Sequence, residues 1–313
     1  MEGTVRAVCI SEKRGTEKVN VNSAVFIENY GIENDAHAGN WHRQVSLLSY
    51  DKVEEFNQKG GDAIPGAFGE NLLVDGIDFR NLPVGTYLHC GDVVLKLTQI
   101  GKECHSHCSI YKRVGDCIMP REGVFAKVIK GGIISNGDIM TAELPQDDAL
   151  LTAAVVTLSD KGSRGERKDT SGPQVASMLA GAGYEIIETL ILPDDEAMIR
   201  KELIRLSDQR QANLIVTTGG TGFSERDRTP EATLSVATRN APGIAEAIRY
   251  ESMKITPRAM LGRGVSVIRN RTLIVNLPGS EKAAAESLSV VLPVLFHGIR
   301  VLKGTDTECG RQP

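Results

Sequence analysis

LIVTTGGTGFSERDRTP, residues 214–230, sets an apolar run before a glycine-rich loop, then a carboxylate among arginines, then a proline-marked turn. Leu214, Ile215 and Val216 have the unbroken apolar character of a parallel strand buried on both faces. Gly219, Gly220 and Gly222 free the following backbone to bring amides close to an anion, and Thr217, Thr218 and Thr221 add hydroxyls. Asp227 could hold a divalent metal, and Thr229-Pro230-Glu231 reads as cap, first-turn proline and early acid of a helix. A glycine-rich loop alone serves structural turns equally well. The ordered string as a whole points to a phosphorylated ligand.

Outward from this stretch the rhythm is strand, helix, strand: 153–158, helix 172–182, 184–192, helix 195–209, then 214–218. Helices at 231–238 and 244–255 follow, then a hairpin of 265–268 and 272–276, then helical structure from 281 to 302 interrupted near Pro293. In an open parallel sheet, ligands bind outside the carboxyl ends of the strands. The loops at Ser159-Asp160, Pro193-Asp194, Gly219–Gly222 and Pro278-Gly279-Ser280 are therefore expected to share one rim.

Residues 143–150, with the polar ELPQDD, separate two differently patterned halves and read as a linker. Before it come short apolar strands at 5–10, 23–27, 44–48, 71–74, 87–90 and 93–99 with glycine, proline and asparagine turns, and one clear helix at 49–58. That pattern predicts a β-rich barrel at 1–142, an α/β domain with a mostly parallel sheet at 151–304, and a tail at 305–313. A length of 313 residues allows two cores.

A hydrophobic fraction of 41% and a net charge of −4 describe an ordinary globular protein without global attraction to nucleic acid or acidic membranes. No amino-terminal apolar leader is evident, no stretch reads as approaching the roughly 20 apolar residues of a membrane span, and a cytoplasmic location is expected. Six cysteines are too few for a disulfide scaffold. Cys104, Cys108 and Cys117 nonetheless crowd together with His105 and His107. A reactive thiolate, a zinc site and an inert buried thiol all remain open for that segment.

Residues 151 to about 303 resemble the molybdopterin adenylyltransferases of the MogA and MoaB type, a domain also found in gephyrin. The resemblance rests on Ser159-Asp160, Pro193-Asp194, TTGGTG at 217–222, Arg226-Asp227, TPEAT at 229–233, Pro242-Gly243 with Glu246, and LPGS at 277–280. It implies a three-layer α/β molybdopterin-binding fold and a reaction in which the terminal phosphate of molybdopterin attacks the α-phosphorus of Mg-ATP. It further implies that Asp194 and Asp227 are catalytic and hold Mg2+. Ser159, Asp160, Thr218, Gly219, Gly220, Thr221, Gly222, Glu246, Pro278, Gly279 and Ser280 would bind the ligands. Bland alternatives are a helix cap for Asp194, a surface ion pair with Arg226 or Arg228 for Asp227, and caps for Ser159 and Ser280.

Residues 1 to about 142 resemble a MOSC domain through GIENDAHAG at 31–39, Arg43–Leu47 and GAFGENL at 66–72. That resemblance implies molybdenum cofactor binding or sulfur carriage with Cys104 as the working cysteine. His37 and His42, near Asp35, could line the same pocket or serve only as polar turn residues. Implied partners are a molybdate-insertion protein, a sulfur donor or a recipient molybdoenzyme, and the second half implies a homotrimer. A non-catalytic cofactor carrier or scaffold is the alternative.

Overall fold

The computed structural model describes residues 1–103, 111 and 117–306, which include two compact units meeting at Gln146 and Asp147. In the first unit, seven strands close on themselves: Glu2–Ile10 (β1), Val45–Ser49 (β2), Leu72–Asp75 (β3), Tyr87–Cys90 (β4), Val93–Ile100 (β5), Val124–Lys130 (β6) and Ile139–Glu143 (β7). The order around the barrel is β1-β7-β4-β5-β6-β2-β3, and only β2 and β3 run parallel. Val124–Lys130 and Ile139–Glu143 are strands that the composition reading missed. Alternation explains the closure: Val93, Leu95 and Leu97 point inward on β5 while Val94, Lys96 and Thr98 are only half-buried. Val5, Val45, Leu72, Leu88, Val124 and Met140 complete the barrel core. The predicted helix is Tyr50–Gln58 (α1), which buries Val53 and Phe56 on the outside of β2 and β3.

Charged groups are buried in this unit, at a cost that hydrogen bonds must offset. The Lys18 ammonium pairs with Asp35, and their side chains are 1% and 0% exposed. Asp35 also accepts from the Ser11 and His37 amides at 3.1 and 2.9 Å and from Asn71 Nδ2 at 3.2 Å. Burial opposes its charge, but the donors from His37 and Lys18 prevail and hold it well below the usual carboxylate range. Glu70 is also buried, and it accepts from the amides of Gly66 at 2.7 Å and Phe68 at 3.0 Å. Burial pushes it up to about 7 despite those bonds.

A raised carboxyl pKa makes the neutral form the one the fold prefers, so the native state binds more protons than the unfolded chain between the ordinary value and about 7. Stability is therefore full below the unfolded value and falls as pH rises through 7, by about 3 kcal/mol for a shift of this size. Urea denaturation followed by fluorescence of Trp41, the sole tryptophan, should show a lower midpoint at pH 8 than at pH 5.5. Glu70→Gln should remove most of that difference.

The second unit is built on a sheet of six strands. Thr152–Leu158 (β8), Glu185–Leu192 (β9), Leu214–Thr218 (β10) and Thr272–Leu277 (β13) are parallel, in the order β9-β8-β10-β13. Ser266–Arg269 (β12) and Arg239–Asn240 (β11) extend it antiparallel, and β12 and β13 form the expected hairpin with Asn270 left-handed at its turn. The sheet residues pack in two alternating sets. Ala153, Val155, Leu214, Val216 and Val275 meet Ser171–Gly181 (α3), Pro242–Ile255 (α6) and Glu281–Lys303 (α7). Ala154, Val156, Ile215 and Ile274 meet Glu196–Ile204 (α4) and Thr229–Ser235 (α5). The single helical turn Asp160–Ser163 (α2) follows β8.

Helix α7 corrects two expectations. It runs unbroken from Glu281 to Lys303 through Pro293, because a stripe of Leu288, Val291, Leu295 and Ile299 packed into the core holds the turns on either side. It is also long and apolar enough, by length and composition alone, to cross a membrane, which the sequence reading denied of every segment. Its buried stripe is that of a core helix.

Candidate active site

A cavity of about 320 Å³ lies at the carboxyl ends of β8, β9, β10 and β13, lined from all four following loops. The rim forms because each strand ends where its neighbours end: Thr157 stands beside Thr218 and Ile191, and Thr218 beside Leu277. Ser159 donates its amide to Leu192 O at 2.9 Å, and Gly219 donates its amide to Leu277 O at 3.2 Å.

Gly219 and Gly220 line the cavity, and their φ values of +102° and +63° are ones that side chains resist. A Cβ on Gly219 would lie 2.3 Å from Leu158 O, and one on Gly220 would lie 2.2 Å from Thr229 Oγ1 and 3.0 Å from Asp194 Oδ1. The glycines thus permit both the turn and a close approach of backbone to the Asp194 carboxylate. Thr218 lies behind this wall, donating its hydroxyl to Pro278 O at 2.8 Å, and the Thr217 hydroxyl accepts from Asn276 at 2.9 Å. These threonines tie strands together, contrary to their expected role as ligand donors. Thr229 is buried, and its hydroxyl donates to Gly219 O at 2.9 Å instead of capping α5.

Asp194 and Asp227 both face the cavity. Asp194 is not the helix cap: Asp195 caps α4 by accepting from Met198 N at 2.9 Å. Asp194 is locked to the β8 loop instead, accepting from Asp160 N and donating its own amide to Asp160 Oδ1, both at 3.0 Å. Burial pushes the Asp194 carboxyl up, and the charges of Asp160 and Asp227 add to that, against the Asp160 amide and Arg226. Arg226 grips Asp160 with two bonds, at 2.7 and 3.0 Å, and holds it below the ordinary range. Arg228 pairs with Glu196 at 3.5 Å. Asp227 is therefore partnered with neither arginine, and its carboxylate accepts from Ser224 N at 2.9 Å.

Ser159 and Ser280 line the cavity and also cap α2 and α7, accepting from Gly162 N at 3.0 Å and Ala283 N at 3.3 Å. Gly279 lines it as well, with Gly219 Cα only 3.1 Å from where its Cβ would stand. The structure does not bring Thr221, Gly222, Pro278 or Glu246 to the cavity surface, and Glu246 is exposed on α6. Asp160 stands behind Asp194 rather than on the wall.

Another wall escaped the sequence reading. Arg167, Lys168, Asp169, Thr170 and Ser171 line the cavity, bringing two cations that make no ion pair among the described residues. Asp169 fixes this segment: its carboxylate accepts from Thr157 Oγ1 at 2.7 Å and from Gly172 N at 3.0 Å. A Cβ on Gly172 would come within 2.4 Å of both Asp169 Oδ2 and Thr157 Oγ1. The signal available was Asp169-x-x-Gly172-Pro173, a cap followed by a first-turn glycine and proline.

Asp194 and Asp227 supply the hard oxygen donors that suit Mg2+, and among the described residues no group of three or more His, Cys, Asp or Glu side chains forms a metal site alone. Were Mg2+ bound there, ligand phosphate oxygens and water would have to complete its coordination, as is common for this ion. In the barrel unit, Cys104, Cys108, His105 and His107 lie outside the described residues, and Cys117 is buried. His42 bonds Gln99 through Nε2 at 2.8 Å, while the His37 Nδ1 stands 3.3 Å from Lys18 Nζ.

A family model described as the probable molybdopterin-binding domain matches residues 154–297, and the MOSC domain matches residues 34–141. The molybdopterin adenylyltransferase of Escherichia coli is 41% identical over 156 residues, covering 48% of this chain and 80% of that protein. That of Haemophilus influenzae is 42% identical over 145 residues, covering 46% and 74%. A crystal structure of the molybdopterin biosynthesis enzyme MoaB from Thermus thermophilus is 46% identical, covers 50% of this chain and 98% of that one, and has a TM-score of 0.48.

Proposed function

We propose, for a chain that belongs to the molybdopterin adenylyltransferase family, that its second unit joins molybdopterin to the adenylyl group of ATP and releases pyrophosphate. The observation that carries the reading is one cavity with Asp194 and Asp227 on one side, Arg167 and Lys168 on another, and the Gly219-Gly220 backbone between. Such a transfer asks little covalent chemistry of a protein; it needs in-line placement and neutralised phosphate charge. Mg2+ bound by Asp194 and Asp227 would supply the second of these.

This chain's own groups do the rest. Gly219 and Gly220 allow a turn that side chains would not fit, since a Cβ on either would collide with Leu158 O or Thr229 Oγ1, and that turn would present bare main chain to a phosphate oxygen. Lys168 and Arg167 offer positive charge to the remaining phosphate oxygens. Asp160 orients Asp194 through two backbone bonds. Ser280 and Gly279 line the cavity beside Gly219, on the loop where the family resemblance places nucleotide.

For the barrel unit the resemblance supports cofactor binding or sulfur carriage at Cys104, with a sulfur donor, molybdate-insertion protein or recipient molybdoenzyme as partner. Assembly of the second unit as a homotrimer belongs to the same reading. Incubating the full chain with molybdopterin, ATP and Mg2+ should yield a product heavier by one adenylyl group on mass analysis, together with pyrophosphate. A chain that forms neither, while binding both substrates, would leave the carrier reading in its place.

A further inference from the structure

The loop that carries Asp227 is held from outside the cavity by one side chain, Arg263, which lies on no recognised motif. Its guanidinium donates through Nε to Gly222 O at 2.6 Å, through Nη2 to Asp227 O and through Nη1 to the Glu231 carboxylate. Its main-chain amide donates to Thr221 O at 2.9 Å. One residue thus meets the loop at 221, 222 and 227 and meets the first turn of α5 at 231. These acceptors lie on three separate pieces of backbone and side chain. Only the planar fork of an arginine can serve them together.

The rest of the loop leaves this task undone. Thr229 closes the neck, its amide donating to Gly220 O at 3.1 Å and its hydroxyl to Gly219 O at 2.9 Å. Beyond the neck, the bonds are local, from Ser224 and Arg226 amides to Asp227 and Ser224 side chains. Phe223 is 69% exposed and gives the loop no apolar anchor. Arg226 reaches Asp160, but that pair is exposed and worth little. The Asp227 carbonyl is therefore fixed by Arg263, and with it the direction in which the carboxylate enters the cavity.

We infer that Arg263 is a positioning residue for adenylyl transfer: its guanidinium sets the Asp227 loop in the geometry that acts on the reacting phosphates, without touching them. The inference rests on the proposed activity for its kinetic arm and on loop geometry for its second arm. Small displacements of a catalytic group cost large factors in rate while leaving ground-state binding nearly intact.

The test compares wild type with Arg263→Lys, which keeps the charge and loses the fork, and with Arg263→Ala. For Arg263→Lys, kcat for product formation should fall about 30- to 100-fold while KM for Mg-ATP changes less than about threefold. Added guanidinium ion at non-denaturing concentration should restore several-fold activity to Arg263→Ala and none to Arg263→Lys. Amide hydrogen exchange should accelerate at 222–228 in both variants and stay unchanged in the strands β8, β10 and β13. Lysine turnover within about threefold of wild type would overturn the inference, as would unchanged exchange at 222–228 or acceleration spread over the whole unit. If the wild-type chain forms no adenylylated product, the exchange arm still decides whether Arg263 sets the loop, so the two failures are told apart.

Discussion

Asp227→Ala should keep its fold and lose about a thousandfold in pyrophosphate release with molybdopterin and Mg-ATP, equivalent to about 4 kcal/mol of transition-state stabilisation. The fold should survive because the carboxylate makes only one hydrogen bond within its own loop, to Ser224 N, while the Asp227 carbonyl keeps its bond to Arg263. Activity should not survive because, of the two cavity carboxylates proposed to hold Mg2+, Asp194 alone would remain. A divalent cation held by a single carboxylate is poorly placed to neutralise charge developing on phosphate. Circular dichroism and steady-state pyrophosphate release measure the two halves of this expectation, and turnover near that of the wild type would remove Asp227 from the chemistry.

Lys18→Met should destabilise the barrel unit by about 3 to 5 kcal/mol, the usual cost of stranding the partner of a buried ion pair. Asp35 would be left buried with the Ser11 and His37 amides, Asn71 and the His37 ring 3.6 Å away, and without the ammonium that faces it. Replacing both members should be far milder, since a buried pair exchanged for apolar groups of similar size is often neutral. Lys18→Met with Asp35→Leu should therefore recover much of the loss, less the unmet amides of Ser11 and His37. Urea midpoints read from Trp41 fluorescence would show it. A single-variant cost below about 1 kcal/mol would mean that Asp35 relaxes to water when its partner leaves.

The legible parts of this protein were those whose cause is local. TTGGTG announced its turn because positive φ at Gly219 and Gly220 is a property of those residues alone. The four strand ends were placed correctly because apolar runs and the loops that follow them are contiguous in the chain. Asp169 was passed over because its role depends on Thr157, twelve residues earlier, and on Gly172 being too small to collide with either. Arg263 was invisible for the same reason, the acceptors of its guanidinium lying 32 to 41 residues away. The burial of Lys18, Asp35 and Glu70 was not legible, because it depends on the barrel closing around them. Pro293 read as a break because local propensity was weighed without the core stripe that overrides it.

The pairing that closes the barrel carries a consequence for how the chain comes to be folded. β1 is the first of the seven barrel strands in chain order, yet one of its two barrel neighbours is β7, with Glu2 opposite Thr141 and Thr4 opposite Ile139. During synthesis the Glu2–Thr4 stretch of β1 must stay open on that side until nearly the whole unit has left the ribosome, exposing unpaired amides and carbonyls. Closure is thus a late, long-range event and should be the slow step of folding. Any substitution that weakens β7 would be felt as aggregation of new chains before it is felt as instability of finished ones.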